Sequence, residues 1–315
     1  MLANRTLLEV ARELEVGQVL ECRKVCRQWR EVYGKEEVWV ALGEDFTENL
    51  QSGEDKRHWF MRCYRRKSTL VQLLPSRIRS FNCLTSTLRD VPLPSALPTS
   101  EATYCLFSDD GSLIVTGGGS LTAPSASILQ VALNGTYKRL GRLLEPRRNH
   151  GAVLFQGCIY LFGGMGNNLT PLASAEKLLV KSGAIEKLPS SANSRFCFTP
   201  VCDSETIYLA GGWSEAVMEL YHPRSRDYFQ PKLDFSPSPQ RSASVLKGET
   251  LYILYAQGTC CVDLRRLGSV WKPGVVLPPG EVAMTPLLLE TTVWLFLEGQ
   301  PGAIDRKSTR LNSSH

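Results

Sequence analysis

Five short apolar runs recur along the later part of the chain, and their spacing limits what it can fold into more than any other feature. They are Leu113-Ile-Val-Thr-Gly117-Gly118, Ile159-Tyr-Leu-Phe-Gly163-Gly164, Ile207-Tyr-Leu-Ala-Gly211-Gly212, Leu251-Tyr-Ile-Leu-Tyr255-Ala256 and Val293-Trp-Leu-Phe-Leu297-Glu298. Their starts lie 46, 48, 44 and 42 residues apart. Each run follows another β-rich stretch across a turn: Asp109-Asp-Gly111, Gln156-Gly157, Asp203-Ser-Glu205, Lys247-Gly-Glu249 and Glu290-Thr-Thr292. Runs this short, rich in β-branched and aromatic residues and bounded by turn formers, predict strands joined in hairpins.

A second hairpin follows each of the first four units, as in Ile128–Leu133, Asn134-Gly135 and Tyr137–Leu140, or Cys260–Leu264 before Val270-Trp271-Lys272. Four strands per unit at a period near 45 residues predict blades of a β-propeller. The paired glycines Gly117-Gly118, Gly163-Gly164 and Gly211-Gly212 are read as structural, since a residue without Cβ lets a neighbouring chain come close at a strand end. Arg79–Cys83 and Leu88–Pro92 form a further hairpin with no first hairpin before it. Either residues 282–298 complete it, for five blades, or a sixth unit is missing. An apolar strand ending in Gly-Gly, with a Tyr or Trp later in the unit, resembles the kelch repeat. The resemblance spans roughly residues 100–300 and is degenerate in the last two units, which lack the glycine pair.

The N-terminal segment has a different period. Leu7, Leu8, Val10, Ala11 and Leu14 form one apolar stripe, Val19, Leu20 and Cys22 a second, and Val25, Cys26, Trp29 and Val32 a third. This is helical spacing, with Gly17 able to end the first helix. Such a unit has too few apolar residues for a large core and gains stability from a partner. The run Val19-Leu-Glu-Cys-Arg-Lys-Val-Cys-Arg-Gln-Trp29 with the later Trp39-Val-Ala-Leu42 resembles an F-box, although the family's opening Leu-Pro is absent.

That resemblance implies that Leu7, Leu8, Val10, Val19 and Leu20 dock on a Skp-type adaptor. Leu14, Cys22, Val25, Cys26, Trp29, Trp39 and Leu42 would then form the internal F-box core. The same five docking side chains could instead be buried against the domain behind them. Residues 57–67 read as a basic amphipathic helix with Trp59, Phe60, Cys63 and Tyr64 inward.

The reading therefore divides the chain into a helical F-box-like module (1–46), a linker with a basic helix (47–70), a kelch-like propeller (71–304) and a tail (305–315). All eleven tail residues match the in-frame translation of a short-read sequencing adapter, so the tail is set aside. Dropping its three basic residues and one acid lowers the formal charge from +5 to +3, which argues against a nucleic-acid partner. No run is long and apolar enough to span a bilayer and no export signal is read, so the ten cysteines are expected to be reduced in cytoplasm or nucleus.

No nucleophile elbow, phosphate loop or metal-ligand spacing is found, and no catalytic residue, metal or cofactor is expected. Outside the tail the histidines are His58, His150 and His222, which do not make a metal set by spacing. Arg147, Arg148 and His150, then Arg195, then Arg241 recur just before the first strand of successive blades. They are candidates for a positively charged mouth that takes an acidic peptide. Together the two resemblances imply a non-catalytic substrate receptor of a cullin–RING ubiquitin ligase that holds an unknown protein target. A scaffold using the propeller alone, or a propeller enzyme such as the copper oxidases of this fold, are the alternatives.

Overall fold

The computed structural model describes residues 69–74, 76–82, 87–95, 97–100, 102–106, 112–214, 218–231, 241–255, 258–266, 272–273, 281–282, 287–289, 292–294 and 297–298. The F-box-like segment, the basic helix over 57–67 and the tail lie outside the described residues.

Antiparallel sheet dominates, with two single-turn 3-10 segments as the only helical structure among the described residues. β1 (Thr69–Leu74), β2 (Arg77–Asn82) and β3 (Thr87–Pro92) form a three-stranded sheet. β2 and β3 carry the early hairpin expected from the sequence, whereas β1 begins inside the stretch read as a linker.

Four four-stranded sheets follow, each pairing its strands in chain order. The first holds β4 (Ala102–Leu106), β5 (Leu113–Gly117), β6 (Ser127–Val131) and β7 (Tyr137–Arg142). The second holds β8 (Gly151–Phe155), β9 (Cys158–Phe162), β10 (Ala175–Leu179) and β11 (Ala184–Leu188). The third holds β12 (Val201–Cys202), β13 (Ile207–Ala210), β14 (Met218–His222) and β15 (Asp227–Phe229). The fourth holds β16 (Ser242–Lys247), β17 (Thr250–Tyr255), β18 (Gly258–Asp263) and β19 (Lys272–Pro273). All four lie in one compact unit. In the last unit β20 (Glu281–Val282) pairs with β23 (Leu297–Glu298), and β21 (Leu287–Leu289) with β22 (Thr292–Trp294).

The first four apolar runs read as repeats are the second strands, whereas the fifth, 293–298, is divided between β22 and β23, which pair in different sheets. β5 and β13 are buried along their whole length, while the fourth strand β7 is largely exposed and β11 is mixed, with Leu188 buried at its end. A strand covered on both faces needs an unbroken apolar run, as in a sheet sandwiched between neighbours.

The core is accordingly built between sheets. Ile114, Ile128 and Leu143 pack with Ile159, Leu161 and Leu178. Phe162, Leu188 and Phe198 pack with Ile207, Leu209 and Tyr221, and Tyr208, Met218 and Leu220 with Leu251, Ile253 and Val262. Four-strand meanders packed face to face in chain order are consistent with a kelch β-propeller.

Candidate interaction site

The loops that enter one sheet meet the loops that leave the second strand of the preceding sheet. Gly118 N donates to the Arg147 carbonyl at 3.0 Å, Gly164 N to the Arg195 carbonyl at 2.8 Å and Gly212 N to Ser242 Oγ at 2.7 Å. The entering loops also bond to one another, Cys197 N to Asn149 O and Ser242 N to Cys197 O. One end of the sheet stack is therefore a connected rim of backbone. Gly163 shows why glycine is needed there: its φ is +61° and a Cβ would fall on the Arg195 carbonyl oxygen.

The arginines of this rim are not a charged mouth. Arg147 is fully buried. Its Nη1 donates to the Gly163 and Ser174 carbonyls (2.7 and 3.1 Å), and its Nη2 to Ser174 Oγ (3.0 Å) and Glu176 Oε1 (2.7 Å). The Glu176 carboxylate also accepts the backbone N–H groups of Leu144 and Glu145.

The next sheet repeats the device. Arg195 donates to the Gly211 carbonyl and pairs with Glu219 at 3.3 Å, and Glu219 also accepts from Ser191 and Asn193. Burial pulls the Arg195 guanidinium below its ordinary range and Glu219 opposes that shift. His150 is buried as well, with Nε2 2.8 Å from Thr116 Oγ1. Burial, followed by the charge of Arg147, holds its imidazole well below the usual histidine value.

The expectation that Arg147, Arg195 and His150 form a positive surface is thus corrected. A cation that contacts a partner must reach solvent, and these side chains are buried, Arg147 and Arg195 within their own sheets and His150 against Thr116 and Gly117 of the preceding one. Arg148, 8% exposed, and Arg241, half-buried, each keep an edge in solvent.

Glu176 and Glu219 were missed by the sequence reading. Each stands in a third strand, opposite Leu161 and Leu209 respectively, at the same register of its sheet. A single acid in each of these third strands, beside Lys177 in β10 and His222 in β14, was the available signal.

The side chains that reach solvent at this rim are of another kind. Leu121, Leu169 and Trp213 are exposed on the loops that leave second strands. Trp213 stacks on Phe196, with centroids 6.0 Å apart and planes at 9°, and the two residues form an antiparallel bridge. The loops 119–126, 165–174 and 189–194 contain no charged residue, whereas the opposite turns carry Asp203, Glu205, Arg224 and Glu249. Among the described residues no three His, Cys, Asp or Glu side chains gather to hold a metal ion, and no helix is long and apolar enough to cross a membrane.

A comparison with curated proteins returns no match. A Kelch motif is found at residues 146–190, and these bounds take in the second four-stranded sheet together with Arg147 and Glu176, the pair that fastens it.

Proposed function

We propose that this chain is a non-catalytic receptor subunit of a cullin–RING ubiquitin ligase, with residues 1–46 docking on a Skp-type adaptor and the propeller holding a protein target. The Kelch motif on meander sheets supports the coarser part, a protein-interaction β-propeller. The observation that carries target binding is the exposure of Trp213, Leu169 and Leu121 at the rim, the first two on loops braced by buried ion pairs. Exposed aromatic and aliphatic side chains on a rigid support suit the desolvated centre of an interface.

The ligase connection is supported by the sequence alone, through the run Leu20-x-Cys22-x-x-Val25-Cys26-x-x-Trp29 and the later Trp39-x-x-Leu42. Its mechanism is proximity: one end is tethered to the ligase and the other keeps a target within reach of the ubiquitin-charged enzyme. No side chain of this chain performs bond chemistry in that scheme.

The test is capture of a purified Skp-type adaptor by the full chain, beside a Leu7→Asp/Leu20→Asp double variant. Capture that the variant loses supports the reading. No capture by folded wild-type protein overturns the ligase link and leaves a propeller scaffold.

A further inference from the structure

Arg147, Arg148, Arg195 and Arg241 stand at the rim, and Arg148 differs from the two that are buried with carboxylates. Arg147 spends its guanidinium on carbonyls, a hydroxyl and Glu176, and Arg195 is paired with Glu219. Arg148 is only 8% exposed, its Nε is screened from solvent without a hydrogen-bond partner, and no carboxylate pairs with it among the described residues. Its backbone is fixed, since its N–H donates to the Met165 carbonyl at 3.0 Å and its carbonyl accepts from Met165 N at 2.8 Å.

An arginine keeps its proton at any ordinary pH, so it cannot relieve burial by becoming neutral. Buried donors in folded proteins are paired with few exceptions, and an unpaired guanidinium on a fixed backbone is a site prepared for an anion. The position agrees with this. Met165 belongs to the charge-free loop 165–174 that carries Leu169, so an arriving acid meets no competing carboxylate on that loop.

We propose that Arg148 is the specificity element of the rim: it takes one anionic oxygen group, a carboxylate or a phosphate, from a target segment whose flanking residues are apolar. The inference rests on reading the rim as a protein-binding face. It replaces the broad basic mouth with a single charge contact set among apolar ones. A target segment rich in acids would find one partner here, and a segment with one acid between apolar residues would find a complete set.

The test uses full-length ¹⁵N-labelled protein and follows the arginine Nε–H resonances and the Met165 amide. Sodium acetate and inorganic phosphate are titrated separately, then the capped peptides acetyl-Leu-Trp-Glu-Leu-amide and its Gln counterpart. The expected result is a saturable shift of the Arg148 signal with at least one anion, and binding of the Glu peptide at least tenfold tighter than the Gln peptide. Phosphate binding more tightly than acetate would assign the group to a phosphorylated side chain.

Arg148→Met is expected to lose the Met165 shift while melting no lower than wild type, because no partner of Arg148 is left unpaired. Arg147→Met, in contrast, should melt lower. The proposal is overturned if neither anion gives a saturable shift, if the Glu and Gln peptides bind equally, or if Arg148→Met melts as low as Arg147→Met. The titration needs neither adaptor nor target, so it can fail while adaptor capture succeeds, and the reverse.

Discussion

The two middle sheets and the two that flank them solve one packing problem in different ways. Register places Leu129, Glu176, Glu219 and Cys260 at the same point of successive third strands, opposite Val115, Leu161, Leu209 and Ile253. All four are inside, at 5%, 2%, 2% and 0% exposure. In the second and third sheets the residue is an acid, met by Arg147 or Arg195 from the entering loop. In the first and fourth it is apolar, and neither Leu129 nor Cys260 presents a charge to be met.

The difference teaches that the ion pair is one of two self-consistent solutions. A buried acid requires its arginine, and an apolar residue at that point requires none. The pair gives the middle sheets something the apolar version lacks. Arg147 and Arg195 tie the entering loop to the end of the second strand through Gly163 and Gly211, so loop and sheet are fixed as one piece. These loops support the exposed rim.

The comparison can be broken most sharply by importing half of a solution. Leu129→Glu places an acid in the first sheet with no arginine assigned to it and is expected to cost about 4 kcal/mol or more in urea denaturation. Gly163→Ala attacks the joint between loop and strand. With a left-handed φ and a Cβ on the Arg195 carbonyl it should cost about 3 kcal/mol, against about 1 for Gly157→Ala, which has a similar φ and open space around it.

His150 supplies a pH dependence of the same rim. Its folded pKa lies below the ordinary 6.5, so the unfolded chain binds the extra proton first. Stability is therefore full above pH 6.5 and falls as pH drops below it, by up to about 1.4 kcal/mol per unit. Unfolding curves at pH 7.5 and 5.5 should show this slope, and His150→Gln should flatten it. The smallest effect is expected at the surface: Leu121→Ser should change stability by no more than about 0.5 kcal/mol while weakening target capture.

The sheets were legible in the sequence because a strand buried between neighbouring sheets leaves a continuous apolar run, with a glycine pair at its end in the first three. Thus β5, β9, β13 and β17 contain the runs that begin at Leu113, Ile159, Ile207 and Leu251. The site was not legible in the same way. Arg147 and Glu176 are 29 residues apart, and only the ladder Ala175–Leu179 against Cys158–Phe162 brings the carboxylate beneath the entering loop. Without that register an arginine in a loop reads as solvent-facing. β1 was missed because the basic stretch preceding Thr69 suggested that the linker continued.

A double-mutant cycle on Arg147→Met and Glu176→Leu tests the account most directly, with free energies from urea denaturation. Each single change should cost about 3–5 kcal/mol, because it leaves one buried charge alone. The double variant leaves no lone buried charge, although backbone partners of both residues are freed, so it should cost at least about 2 kcal/mol less than the sum of the single changes. Costs that simply add would contradict the account, since the arginine and the acid would then be stabilising the sheet independently rather than as one unit.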